Sequence, residues 1–117
     1  MLASTSERLY KADSPMPRLL VVEDEAVLAR NLAKLFGRSG FEADHAASLS
    51  DARRLVAATP PDIVLLDLRL PDGSGLDLLD ALLAVDPDLP VVMMTAYGSV
   101  ADAVRAMQRG AREYVQK

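Results

Sequence analysis

Five residues carry chemistry that their neighbours do not. Asp67 follows the apolar run Ile63-Val64-Leu65-Leu66, Glu23 and Asp24 follow Leu19-Leu20-Val21-Val22, Thr95 follows Val91-Val92-Met93-Met94, and Lys117 follows Tyr114-Val115-Gln116. Short apolar runs bounded by turn signals are the pattern of strands buried on both faces of a parallel sheet. In open α/β sheets ligands bind beyond the carboxyl ends of such strands. Asp67 alone is equally readable as a solvated strand-end residue; the other strands decide the matter. Three carboxylates brought to one edge repel one another, so either their pKa values rise or a cation binds among them. Against Lys117 the local balance is three negative charges to one positive, a net of two that one divalent ion matches. All-oxygen ligation selects magnesium, manganese or calcium over zinc or copper. A threonine hydroxyl and a lysine ammonium are poor ligands for a bare metal but suit the oxygens of a phosphoryl group. A carboxylate beside a metal can act as a nucleophile and form an aspartyl phosphate, with the metal and the lysine offsetting the developing charge.

For these residues to meet, the chain between them must return each strand to the same edge. Arg18–Val22 is the first strand, and Leu28, Leu32, Leu35 and Phe36 then fall at i, i+4, i+7 and i+8 of a helix that Ser39-Gly40 closes. Phe41 to Ala46 alternates weakly and predicts an outer strand over 42–46. Ser48-Leu49-Ser50-Asp51 has the form of a capping box, Ala52, Leu55 and Val56 make a short apolar stripe, and Pro60-Pro61 ends that helix. After the strand at 63–67 and its Pro71-Asp72-Gly73 turn, Leu76, Leu79 and Leu83, widened by Leu78 and Leu82, predict a helix that Asp86-Pro87 stops. A strand over 91–95 follows. Val100, Ala103, Val104 and Met107 then mark the inner face of a helix with little to bury, ended by Gly110, before a last strand over 113–116. Strict β-α alternation with right-handed crossovers predicts a parallel sheet with helices on both faces.

Composition excludes other classes. The chain has 117 residues, enough for one core, and half of them are apolar. Its net charge of −4 and lack of a basic block argue against direct nucleic-acid contact. Without cysteine there are no disulfides, thiolate ligands or cysteine nucleophile. No apolar run approaches the roughly 18 residues of a membrane span, and no signal-peptide core is present. A cytoplasmic protein is the expectation. No glycine-rich phosphate loop follows the first strand, which argues against nucleotide binding. Residues 1–17 lack either periodicity and are expected to be a flexible lead-in to a domain over 18–117.

The pieces Val21-Val22-Glu23-Asp24-Glu25, Leu65 through Gly75, Met94-Thr95-Ala96-Tyr97-Gly98 and Gly110 through Lys117 resemble, in order and in spacing, the receiver domain of two-component response regulators. The resemblance covers residues 18–117 and implies a flavodoxin-like doubly wound sheet of five parallel strands in the order 2-1-3-4-5. It also implies that Asp67 accepts a phosphoryl group from a phosphohistidine of a sensor histidine kinase or phosphotransfer protein. Asp24, Asp67 and the main-chain carbonyl of Arg69 would hold Mg²⁺, for which Mn²⁺ can substitute, and Glu23 would act from beside it. Lys117 would pair with Asp67 and then with the phosphoryl oxygens. Thr95 and Tyr114 would form the switch that alters the face of the fourth helix and fifth strand, through which a second copy could also dock. Arg69 and Tyr97 would flank the phosphoryl group and tune its lifetime, while the small Ala96 leaves it accessible.

The run from Met94 to Ser99 is closest in look to receivers fused to transcriptional output domains, including regulators of σ54-type promoters. The protein is then a signalling switch and not a metabolic enzyme, its own phosphoryl uptake and loss apart. A phosphatase of the haloacid-dehalogenase type is disfavoured because Arg69 stands where a second aspartate is required. A phosphorylation-independent interaction module usually lacks part of the acidic pocket, whereas this chain keeps all five residues. The family usually continues with a proline and a fifth helix after the lysine. The chain stops at Lys117, so a truncated receiver of marginal stability is expected. His45 and Asp77 are read as ordinary surface or helix-start residues, and Asp72 as serving its own turn.

Overall fold

The computed structural model describes residues 16–96 and 99–117. Most of the expected lead-in, and Tyr97, lie outside the described residues. Five strands form one sheet: β1 (Arg18–Val22), β2 (Glu42–Ala46), β3 (Ile63–Asp67), β4 (Val91–Thr95) and β5 (Glu113–Gln116). They lie in the order β2-β1-β3-β4-β5, and every neighbouring pair is parallel. This is the doubly wound order that the resemblance implies. Four helices link them: α1 (Ala26–Arg38), α2 (Leu49–Ala58), α3 (Gly75–Val85) and α4 (Val100–Gln108). The central strands are apolar on both faces because both faces are packed. Leu20, Val22, Val64, Leu66, Val91 and Met93 join side chains from α2, α3 and α4 in one core. Leu19, Val21, Leu65 and Met94 point the other way and meet Leu32 and Phe36 of α1.

Helices α2 and α3 begin with well-made caps. Ser48 Oγ accepts the Asp51 amide N–H at 3.1 Å, the first half of the expected capping box. Ser74 Oγ accepts the N–H of Leu76 at the start of α3, whose Leu76, Leu78, Leu79 and Leu82 are buried. Between β3 and α3, Arg69–Leu70 pairs antiparallel with Gly73–Ser74 in a short ladder.

Two expected helix faces are corrected. In α1 the stripe runs through Ala29, Leu32 and Phe36, while Leu35 is largely exposed. Adjacent helix positions point about 100° apart, so a helix seated on Phe36 turns Leu35 away. In α4 the disagreement is larger. Val100 is 83% exposed, and Val104 and Met107 are 46% and 47% exposed, whereas Ala106 is fully buried. The helix docks through its small residues, which let its backbone come close to the sheet. The helix ends at a turn where Gly110 has φ +102°, and Arg109 forms an exposed ion pair with Asp80 of α3 at 3.4 Å.

If α4 is seated on alanine, Ala106→Leu overfills the contact and destabilises by about 1–3 kcal/mol. Val104→Ala, on the outward face, changes stability by less than about 0.5 kcal/mol. Urea unfolding of both variants measures the contrast; the reverse ranking would restore the face read from the periodicity.

Candidate functional site

The carboxyl ends of β1, β3, β4 and β5 meet at one edge of the sheet. Glu23 is the first residue beyond β1, and its backbone N–H bonds to the carbonyl of Ala46 on β2, which keeps the chain extended as it leaves the sheet. The Glu23 side chain is therefore drawn inside and is fully buried, while Asp24 is exposed at the mouth. Asp67, the last residue of β3, is buried beside them. Oxygens of Glu23, Asp24 and Asp67 all lie within 4.8 Å of one another.

Lys117 arrives from the far side of the sheet. Its backbone N–H bonds to the carbonyl of Thr95 at 2.8 Å, extending the β4–β5 pairing by one residue. Its Nζ donates to Asp67 Oδ2 at 2.9 Å and is ion-paired with Glu23 Oε1 at 2.5 Å. The other oxygen of Asp67, Oδ1, accepts the N–H of Arg69 at 3.3 Å. Thr95 is buried at the end of β4, one position beyond Met94, which pairs with Asp67 in the ladder. Tyr114 packs against the main core, and its hydroxyl is buried without a hydrogen-bond partner among the described residues.

The electrostatics follow from this crowding. Two like charges about 5 Å apart repel by about 3 kcal/mol at an effective dielectric constant of about 20. Burial pushes the Glu23 carboxyl above its ordinary pKa. Lys117 and the N–H of Glu25 pull it down, but the nearby charge of Asp67 adds to the rise. Burial works against the Lys117 ammonium, yet its hydrogen bonds to Asp67 and Glu23 outweigh that and hold its pKa above the ordinary value. Three carboxylates, two of them paired with the one ammonium, form an oxygen-lined, under-neutralised pocket, which is the donor set a hard divalent cation takes.

Three further residues shape this edge, and periodicity alone does not reveal them. His45 Nε2 donates to the main-chain carbonyl of Glu23 at 2.8 Å, so the single histidine steadies the strand exit from the edge strand. A Cβ at Gly75 would stand 2.1 Å from the main-chain oxygen of Asp67. Only glycine allows the start of α3, whose Gly75 N–H bonds Leu68 O at 2.7 Å, to close on the end of β3. Asp72 does not serve only its own turn: its two oxygens accept the N–H groups of Leu49 and Ser50 at the start of α2, at 2.9 and 3.0 Å. Those two bonds hold its carboxyl below the usual aspartate range. Glycine beside a helix-capping serine was the one local hint; the contacts of Asp72 and His45 join elements more than twenty residues apart.

The chain matches known proteins in sequence and in fold. The family model for the response regulator receiver domain matches residues 19–117. The chain belongs to the response regulator receiver family. Receiver domains are phosphorylated on aspartate in two-component signalling, bind Mg²⁺ at an acidic cluster, and interact with histidine kinases and output domains. The photosynthetic apparatus regulatory protein RegA of Rhodovulum sulfidophilum is 38% identical over 101 residues, which are 86% of this chain and 55% of RegA. The response regulator PilR of Pseudomonas aeruginosa is 40% identical over 100 residues, 86% of this chain and 22% of PilR. This receiver thus spans at most about half the length of these two relatives. Among solved structures, the signal receiver domain of a putative LuxO repressor protein from Vibrio parahaemolyticus superposes with a TM-score of 0.81 at 35% identity, covering 87% of this chain and 78% of that one. A Burkholderia pseudomallei response regulator, solved with a phosphorylated aspartic acid and a calcium ion, gives 0.81 at 34% identity, covering 86% and 59%.

Two outcomes test the packing and charge of this receiver's pocket. Gly75→Ala should displace the end of β3 and cost about 1–3 kcal/mol in urea unfolding. Ionised Glu23 costs stability above its raised pKa, and that cost fades as pH falls toward 4.5, the ordinary glutamate value. Metal-free Glu23→Gln should therefore melt above the parent protein at pH 7.5, with the gap narrowing on acidification. A gap that is constant across that range would show that burial of the charge is not its source.

Proposed function

We propose that this receiver is a phosphorylation switch in which Asp67 is the phosphoacceptor. The observation that carries the reading is the placement of Asp67. Its carboxylate is buried in a pocket where Glu23 and Asp24 converge and Lys117 donates to it directly. In the proposed step an oxygen of Asp67 attacks the phosphorus of a phosphohistidine on a sensor histidine kinase or phosphotransfer protein. The phosphorus–nitrogen bond breaks and the imidazole leaves with the bonding electron pair and a proton from solvent. Lys117, already drawn toward Asp67, offsets the charge of the transferred group. Glu23, Asp24, Asp67 and the main-chain carbonyl of Arg69 would hold Mg²⁺, or Mn²⁺ in its place. When bound, that ion supplies the positive charge that one lysine cannot.

Thr95 and Tyr114 form the proposed switch. Thr95 presents a hydroxyl to the phosphoryl oxygens, and Tyr114 responds on the neighbouring strand. The buried, unpartnered hydroxyl of Tyr114 favours this reading, because such a group costs about 1–3 kcal/mol where it stands. Arg69, exposed two residues after Asp67, tunes the lifetime of the aspartyl phosphate together with Tyr97. The change is read at α4 and β5, where Val100, Val104 and Met107 offer an apolar outer surface for an output domain or a second copy of the chain. Membership of the receiver family favours control of transcription, in the cytoplasm, through an output domain, and the net charge of −4 without a basic block favours no DNA contact by the receiver. The receiver's own chemistry is confined to phosphoryl uptake and loss.

Incubation with Mg²⁺ and acetyl phosphate, followed by intact mass, should give one phosphoryl adduct. Chelation of the metal or Asp67→Asn should abolish it. An adduct that persists on Asp67→Asn, or none on the folded parent protein, would overturn the assignment.

A further inference from the structure

The segment Leu68–Gly75 joins Asp67 to α3 and carries Arg69, so its rigidity decides how well the pocket is aimed. Its base is held at both ends. The N–H of Leu68 bonds to Met94 O at 2.8 Å, and the N–H of Gly75 bonds to Leu68 O. Its middle is a two-residue ladder closed by Pro71 and Asp72. On the side toward α4 it faces a cleft of about 520 Å³, with Asp102 and Arg105 across it. On the opposite side the tip meets α2. Asp72 accepts the N–H groups of Leu49 and Ser50, and Leu49 Cδ1 lies 2.9 Å from where a Cβ on Gly73 would stand.

Helix α2 has a cap of its own besides the bonds that Asp72 accepts from Leu49 and Ser50. Ser48 Oγ already accepts Asp51 N–H, and Ser48 O accepts Ala52 N–H. Ser50 is exposed, so water could satisfy its N–H. Among the described hydrogen bonds, the loop tip is tied to α2 through this carboxylate. A bidentate charged acceptor across two backbone donors restrains direction as well as distance.

We infer that Asp72 is a positioning residue: it anchors the tip of the loop to the start of α2 and thereby holds Arg69 and Asp67 in the geometry that binds the metal and accepts the phosphoryl group. The inference rests on the phosphoacceptor reading of Asp67. The charged form of Asp72 does the work, consistent with a carboxyl held below its usual range by the two N–H groups.

The test compares Asp72→Ala with Ser48→Ala in the full chain, at a temperature where circular dichroism shows both folded. Both remove acceptors from the start of α2, but only the first frees the loop. In metal-free protein, amide hydrogen exchange over residues 68–75 should rise in Asp72→Ala and stay at the parent level in Ser48→Ala. Mg²⁺ affinity and the initial rate of phosphorylation by acetyl phosphate should fall roughly tenfold in Asp72→Ala alone, the lower end of the effect of outer-shell partners. Asp72→Asn, which keeps one acceptor oxygen, should fall between, and it replaces the alanine variant if that fails to fold. Equal losses of melting temperature in the two variants, with unchanged loop exchange and Mg²⁺ affinity, would reduce Asp72 to a helix cap and overturn the inference. Loosened loop exchange with no adduct on the parent protein would instead remove the phosphoacceptor reading on which it rests.

Discussion

The ammonium of Lys117 is the interaction on which the functional edge depends. Glu23 and Asp67 are both buried, and carboxylates taken out of water are tolerated only when paired and hydrogen-bonded. Lys117 bridges the two and comes from the strand furthest from β1 on that side of the sheet. The parallel sheet must therefore be complete from β1 to β5 before either acid has its partner. The pairing is still incomplete in charge, since Asp24 stands at the mouth with no share of the lysine among the described ion pairs. That residual negative charge makes the pocket receptive to a cation and leaves Asp67 dependent on whatever neutralises it.

Around this pair the domain divides into a tightly fitted and a loosely fitted half. The side of β3 and α3 is close-packed: Gly75 touches the Asp67 carbonyl, four leucines of α3 are buried, and Asp72 ties the loop to α2. The side of α4 rests on alanines and leaves valines and a methionine outside. Helices with few buried apolar contacts sit at the low end of local stability. A domain that holds its chemical site rigid while leaving α4 and Tyr114 lightly committed is suited to report a local charge change at a distance. This division is the physical content of the proposed switch.

Much of this was legible in the residues. Runs such as Leu19–Val22, Ile63–Leu66 and Val91–Met94 fit strands packed on both faces, and β-α alternation then brings the polar residue ending each run to a common edge. The elements were bounded well because caps and breakers such as Ser39-Gly40, Ser48, Pro60-Pro61 and Gly110 act locally. Helix faces were less legible. In α4 the apolar period names Val100, Val104 and Met107, but burial follows the small residues that permit close approach. Period alone does not distinguish an inward stripe from a surface kept for contact.

The sequence by itself determined the fold class, the order of the elements and the five residues at the sheet edge, because these follow from short-range periodicity and from where each apolar run stops. Only the tertiary structure decided the partnerships: Lys117 with both Glu23 and Asp67, His45 with the Glu23 carbonyl, Asp72 with the start of α2, and the rotation of α4. Each of these joins segments far apart in the chain or depends on how closely two elements pack. Residue type sets what a side chain can bond to, but the distance and direction that select one partner exist only after the sheet has closed.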